Sequence, residues 1–375
     1  MNETSVKVTF DRGPSGAGDV FSAPSAIIRA DMPDEVDAAF EAMQLAQSEG
    51  KWLAGYVSYE FGYLTSPKLN HLLPTDRALP LIHFGVFDAP QPSTPLSVDV
   101  LGELGHLEPQ WDADRYVQAF EKVHDYIGAG DIYQVNLTFP ILTCSDVSPD
   151  ALYVKLCERQ SVPHGALVRF GETALLSRSP ELFFSLTVTG KLTTRPMKGT
   201  APRGATTAQD DTIRDALQQS EKNRAENLMI VDLLRNDMSR VSEIGSVKVP
   251  ELFVVERFAT LHQMTSCITS QILPNTTLKE LFLALFPCGS VTGAPKIRAM
   301  EVIREIETQP REIYCGSIGW IAPDGAMEFN VAIRTLMFHA DHSIQLNVGG
   351  GIIYDSTAKD EYDEALLKSR FAERS

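Results

Sequence analysis

The stretch Tyr133-Gln-Val-Asn-Leu-Thr-Phe-Pro-Ile141 sets Tyr133, Val135, Leu137, Phe139 and Ile141 against Gln134, Asn136, Thr138 and Pro140. A period of two is the period of a strand, so the pattern predicts a half-buried strand with Gln134 and Asn136 on its polar face. Immediately upstream, Tyr116, Phe120, Val123 and Ile127 follow helical spacing, and Gly128-Ala-Gly130 ends that helix. Downstream, strands are expected at about 166–170, 173–177, 181–188 and 190–195. Their connections are short, which predicts antiparallel hairpins. A long helical region covers about Asp210–Arg240, then strands at 246–258 and 260–273 and a helix at about 277–286. The loop Cys288–Ala294 opens a helix with Pro295 in its first turn. Strands at about 314–322, 326–338 and 343–354 lead to a closing helix over about Thr357–Glu373. Long antiparallel runs interspersed with helices make an α+β pattern, not a βαβ repeat.

Residues 1–110 read as a shorter strand-rich region with a helix at about Asp34–Gly50, a buried strand and turn over Trp52–Tyr63, and a linker at Pro90–Pro95. The remainder, 111–375, carries the stronger patterning and reads as the catalytic unit packed against it.

Composition excludes several classes. A formal net charge of −16 and a pI of about 5.0 argue against non-specific nucleic-acid binding or attachment to an anionic membrane. No apolar run is long enough to span a bilayer, and the first residues lack a signal-peptide core. The five cysteines, Cys144, Cys157, Cys267, Cys288 and Cys315, are scattered without metal-ligand spacing and read as reduced thiols of a cytoplasmic protein. No Gly-x-Cys-x-Gly nucleophile elbow occurs.

Several residues can carry chemistry. Lys198, in Arg195-Pro-Met-Lys-Gly-Thr-Ala-Pro-Arg-Gly204, sits on what reads as a stiff turn and is either a solvated loop lysine or an amine held for chemistry. On the closing helix, Glu361, Glu364 and Lys368 share one face, either as a solvated ion-paired surface or as part of a Mg²⁺ site. Glu226 precedes the apolar run Leu228–Val231, where an unpaired charge is costly to bury. The helix start at Thr292-Gly-Ala-Pro-Lys296 is an ordinary cap or an anion receiver. Gly349-Gly-Gly351 inside a strand implies close approach of another segment or of a ligand carboxylate. Arg334 lies in an apolar setting and wants a carboxylate, and Glu181, after Ser177-Arg-Ser-Pro180, can serve as general acid or base. Together they describe a site for a small dicarboxylate with Mg²⁺ and one extra lysine.

These motifs closely resemble those of the chorismate-utilising enzymes: the component I chains of anthranilate and aminodeoxychorismate synthases, and the isochorismate and salicylate synthases. The resemblance spans about residues 112–372 and rests on Gly130-Asp-Ile-Tyr-Gln-Val135, Ser177–Glu181, Pro196–Gly204, Glu226–Leu233, Phe286–Lys296, Tyr314–Gly319, Ala332–Thr335, Gly349–Ile352 and Glu361–Lys368. It implies a sandwich of large antiparallel sheets in two subdomains flanked by helices. It also implies that Glu226, Glu361 and Glu364 hold Mg²⁺, which binds the ring carboxylate of chorismate together with Thr292, Gly293 and the backbone of Gly349, Gly350 and Gly351. Tyr314 and Arg334 would bind the enolpyruvyl carboxylate, Lys368 would add positive charge near the metal, and Glu181 would be general acid or base.

Two positions sort the family. Gln134 stands where the water-using members have a lysine base, which implies ammonia as nucleophile. Lys198, in Pro-Met-Lys-Gly-Thr, stands where anthranilate synthases have alanine, and this form resembles the aminodeoxychorismate synthases, component I. There the lysine attacks C2 of chorismate and ammonia then adds at C4, giving the precursor of p-aminobenzoate and folate. A separate glutaminase subunit in a heterodimer would supply the ammonia, and a separate lyase would act next. The alternatives are anthranilate synthase component I and a silent chorismate-binding subunit. The family's His-Leu-x-Ser motif is altered here: alignment on Ser266 puts Gln263, not His262, at the histidine position. No Leu-Leu-Glu-Ser tryptophan motif is present, which implies no feedback by tryptophan.

Overall fold

The computed structural model describes residues 6–93, 104–258, 261–339, 341 and 343–372. The end of the proline-rich segment, the expected strand start at 260 and the expected helix end at Glu373 lie outside the described residues. Two ten-stranded sheets, each with antiparallel pairing, organise the described chain. In the first sheet the order runs from Gly293–Ala294 through Gln134–Cys144, Ser343–Ile352, Thr335–Phe338, Thr173–Ser179 and His164–Phe170 to Lys7–Phe10, Asp19–Ser22 and Gln91–Pro92, with Glu108–Pro109 beside Gln134–Cys144. In the second it runs from Met197–Pro202 through Leu261–Gln271, Lys191–Arg195, Leu182–Leu186, Met327–Asn330 and Ser317–Ile321 to Trp52–Val57, Ile82–Phe87 and Ala26–Ala30, with Lys248–Arg257 beside Leu261–Gln271. Strands from the first 92 residues therefore extend both sheets at one end: Lys7–Phe10 pairs with His164–Phe170, and Trp52–Val57 with Ser317–Ile321.

Three buried clusters fix the layers. Val8, Phe10, Phe21, Val168 and Met337 of the first sheet pack on Ala54, Tyr56 and Ile318 of the second. On the far side of the second sheet lie Phe40, Phe282 and Leu234, from the helices Val36–Ser48, Leu278–Leu285 and Glu221–Ser239. On the far side of the first lie Tyr116, Leu156, Val302 and Ala365, from Ala113–Gly128, Pro149–Arg159, Lys296–Ile306 and Ala358–Ser369. The molecule is a helix–sheet–sheet–helix stack, the layered solution for α+β chains.

Local chemistry sets the element ends. Asp112 caps Ala113–Gly128 by accepting from Arg115 N at 2.8 Å, and Thr277 with Glu280 forms a capping box at Leu278–Leu285. The expected single helix over 210–240 is two, Thr207–Gln219 and Glu221–Ser239, because Ser220 leaves the helical conformation and caps the second.

Other departures concern which sheet a strand joins. The strand expected to be half-buried, here Gln134–Cys144, is buried on both faces over most of its length. Val135, Leu137, Phe139 and Ile141 meet the helices, while Gln134, Asn136 and Thr138 turn toward the second sheet rather than water. Thr173–Ser179 does not form a hairpin with Leu182–Leu186; at Pro180-Glu181 the chain passes from the first sheet to the second. The expected strand over 326–338 is also two, Met327–Asn330 in the second sheet and Thr335–Phe338 in the first. These crossovers run side by side, tied by Arg178 N to Arg334 O at 2.9 Å, Val331 N to Glu181 O at 3.0 Å, and Ser179 Oγ to Val331 O at 2.6 Å.

Candidate active site

Each crossover delivers one of the expected residues into the gap between the sheets. Glu181 is 4% exposed, and its Oε1 accepts from Ser290 Oγ at 2.7 Å. Burial pushes its carboxyl up to about 7, against the Ser290 hydroxyl and the charges of Lys198 and Arg334, which favour ionisation. Arg334 lies in the break between two strands rather than within one, at φ 51°, a left-handed conformation that is uncommon for a residue with a side chain. Its guanidinium has no hydrogen-bond acceptor among the described residues. Burial lowers its pKa, and Glu181 is the charge that opposes the shift. Tyr314 is buried, and desolvation raises its phenol well above its ordinary value.

Lys198 lies in Met197–Pro202, an edge strand where a turn was expected. Its side chain is half-buried, and desolvation lowers its pKa. The carboxylates of Glu226, Glu181 and Glu364 raise it and Lys368 lowers it further. Across the gap is Gln134, 1% exposed, with neither Oε1 nor Nε2 hydrogen-bonded. A wholly unpaired buried amide is rare in a folded protein and marks a place where a ligand completes the bonding.

The triple glycine explains how these groups come together. A β-carbon on Gly351 would stand 2.7 Å from Gln134 Nε2 and 3.2 Å from Lys198 Nζ. One on Gly350, which faces the helix layer, would stand 3.1 Å from Glu361 Oε2 and 3.4 Å from Lys368 Nζ. Gly349 is tight against the backbone of the neighbouring strand, and its carbonyl accepts from Lys368 Nζ at 2.9 Å. The absent side chains therefore let the lysine strand and the carboxylate helix approach one strand from opposite faces. Gly293, at φ 145°, is likewise pressed against the backbone of Gln134, and Thr292, fully buried, donates its hydroxyl to Cys288 O at 2.8 Å. Helix Lys296–Ile306 starts just beyond, with Pro295 at its N-cap.

Burial raises the pKa of Glu226 and of Glu361, and the neighbouring Glu364 raises both further. Glu364 itself is lowered, first by Lys368 at 2.9 Å. Among the described residues no three His, Cys, Asp or Glu side chains converge closely enough to hold a metal ion. Glu226 and Glu361, each repelled by Glu364, are with it hard oxygen donors of the kind a divalent cation takes.

Sequence reading missed one contributor, Ser290, and named Gln263 without a role. Ser290, the donor to Glu181, lies within the quoted loop Cys288–Ala294 but carries no chemistry without its partner. Gln263 bonds to Gly199 and Thr200, next to Lys198, while His262 turns away to Asp210 at 2.8 Å. All five cysteines are free, and no described helix is long and apolar enough to cross a membrane.

Comparisons with known proteins place this geometry. The chain is 44% identical over 255 residues to aminodeoxychorismate synthase component 1 of Klebsiella aerogenes, covering 68% of this chain and 56% of that protein. The corresponding Escherichia coli K12 protein is 43% identical over 255 residues, with the same shares. This chain thus spans about half the length of these curated relatives. In fold, the crystal structure of anthranilate synthase component I from Streptococcus pneumoniae superposes with a TM-score of 0.82 over 94% of this chain and 91% of that one, at 24% identity. The family model for chorismate binding enzymes matches residues 88–374, which takes in every residue of the cleft described above, and the chain belongs to that family.

Proposed function

We propose that the chain converts chorismate and ammonia to 4-amino-4-deoxychorismate, as aminodeoxychorismate synthase component I. The observation that carries this reading is Lys198: an amine with a lowered pKa, beside the unpaired amide of Gln134 and across from a carboxyl that titrates near neutrality. A desolvated lysine is a competent nucleophile because a larger fraction is neutral.

In the first step the Lys198 amine bonds to C2 of the ring. The two ring double bonds shift toward C4, and the 4-hydroxyl leaves as water with a proton from Glu181. In the second, ammonia bonds to C4, the double bonds shift back, the C2–nitrogen bond breaks with its electron pair returning to Lys198, and the ammonium formed at C4 gives a proton back to Glu181. Hydroxide is a poor leaving group unless protonated, and a carboxyl held near pH 7 is suited to that proton. Arg334 and Tyr314 bind the enolpyruvyl carboxylate, and Gln134 completes its bonding with the incoming ammonia or the substrate. Glu226, Glu361 and Glu364 would hold Mg²⁺, which supplies positive charge to bind and orient the ring carboxylate, while Thr292, Gly293 and the Gly349–Gly351 backbone line that end.

Ammonia comes from a separate glutaminase subunit, in keeping with the component 1 name of the relatives. Five free thiols suit the reducing cytoplasm. Liquid chromatography of the products formed from chorismate, ammonium and Mg²⁺ tests the reading. Aminodeoxychorismate is expected from the parent, and Lys198→Ala should lower its formation by about a thousandfold or more. Fluorescent anthranilate as product, binding of chorismate without turnover, or an unchanged rate in Lys198→Ala would each overturn it.

A further inference from the structure

Lys198 is not on a regular stretch of its strand. Met197 faces Thr265 and Thr200 faces Gln263, so the lysine strand carries one residue more than its partner over this interval. The extra residue makes a β-bulge, with Gly199 at φ 83°. Bulges bend a strand and re-aim a side chain, and they leave ladder groups without backbone partners. Here one side chain takes up a ladder carbonyl, that of Gly199, and the hydroxyl of the next residue. Gln263 is 7% exposed, donates from Nε2 to Gly199 O at 2.9 Å, and accepts at Oε1 from Thr200 Oγ1 at 2.9 Å. Behind the bulge, Asn223 of helix Glu221–Ser239 lies against Gly199. The side chain of His262 is engaged elsewhere, with Asp210, which is also held by Arg203 and Gly204 N.

We infer that Gln263 is a positioning residue for Lys198: its two hydrogen bonds fix the bulge that aims Nζ at the space beside Gly351 and Gln134. The inference rests on the reading of Lys198 as the nucleophile. A lysine has four rotatable bonds, so the direction of its tip depends on how firmly its backbone is held. Gln263 does this at a distance from substrate, through Gly199 and Thr200. Its loss therefore acts on the chemical step, not on chorismate binding.

Gln263→Met keeps the volume and removes both hydrogen bonds; Thr200→Val removes one and changes a side chain that is exposed. Gln263→Met is expected to lower kcat for aminodeoxychorismate by about 30-fold or more with KM for chorismate within about threefold, and Thr200→Val to lower kcat about threefold. A second readout needs no turnover: reductive methylation of Lys198 by formaldehyde and borohydride at a single pH, followed by peptide mass spectrometry. Relative to exposed lysines in the same sample, its rate should change at least about threefold in Gln263→Met, since a re-aimed amine leaves the confined space beside Gly351 and Gln134 and meets the reagent differently. Parent-like kcat and methylation in either variant would overturn the inference. So would a fall in kcat with unchanged methylation, or a rise in KM matching the loss in kcat, because Gln263 would then act on substrate. If Gln263→Met does not fold, Thr200→Val carries the test alone. Altered methylation in a protein whose parent makes no aminodeoxychorismate would support the positioning role and remove the proposed function.

Discussion

Arg311 is buried and Arg334 half-buried, and their guanidinium groups meet opposite surroundings. Arg311 is 2% exposed, and Nε and Nη2 each bind Glu307 at 2.7 Å. Nη1 donates to Val291 O at 3.1 Å, Nη2 also donates to Asn136 O at 2.6 Å, and the group lies over the Tyr59 ring at 4.6 Å. Glu307 in turn accepts from Thr138 N at 2.8 Å. The pair thus clamps the strand that carries Gln134 to the loop that carries Thr292. Arg334 has none of this and faces Glu181 alone. Charge that is buried and fully bonded belongs to the scaffold; charge that is buried and unmatched is held for a ligand.

Four measurements would break or sharpen that contrast. The largest effect should follow Arg311→Met, which strands Glu307 without its partner and is expected to cost about 3–5 kcal/mol of stability. Denaturant unfolding checks it, and parent-like stability would refute the scaffold role. Glu181→Gln should come next. The folded-state pKa of Glu181 is about 7, above the ordinary glutamate value of 4.5, so its favourable contribution is complete below about pH 4.5 and is lost as pH rises through about 7. Above that pH the buried charge costs about 3 kcal/mol. The variant should therefore be more stable than the parent at pH 8.5 but not at pH 4, while losing turnover; an equal gain at both pH values would contradict the assignment. Arg334→Gln should leave the melting temperature nearly unchanged and weaken chorismate binding by about 10- to 100-fold, as expected for a lost charged hydrogen bond. Calorimetric titration decides it, and a large loss of stability would place Arg334 with Arg311. The smallest effect should come from Gln134→Leu. Neither amide atom is bonded, so stability should be unchanged or rise by up to about 1 kcal/mol while ammonia-dependent turnover falls.

The α+β class and most helices were legible in the chain because periodicity is local, and short motifs were enough to name candidate site residues. The partners of those residues were not. Gln134 and Asn136 alternate as if facing water, and nothing in nine residues reveals the second sheet that covers them. The 326–338 run carries strand-forming residues and no Gly or Pro to break it, so the change of sheet at 331–334 leaves no punctuation in the sequence. Lys198 sits among Pro, Gly and Thr, which suggest a turn; the pairing with Leu261–Gln271, some sixty positions away, makes it a bulged edge strand. Gln263 was visible only as a deviation from a motif, because its meaning lies in the backbone that it touches.

The hydrogen bonds between the two crossovers have a mechanical consequence. Arg178 N to Arg334 O and Val331 N to Glu181 O make the two segments one beam spanning the sheets. Any slide of one sheet over the other carries Glu181 and Arg334 together, so the spacing between the proton donor and the carboxylate anchor is insulated from breathing of the sandwich. Lys198 lies on the outer strand of a single sheet, and its neighbour Met197 ties that strand to the beam through a backbone hydrogen bond to Glu181. The nucleophile's strand is therefore pinned to the beam at one point, and Glu181 is the shared datum from which both the carboxylate anchor and the lysine are spaced.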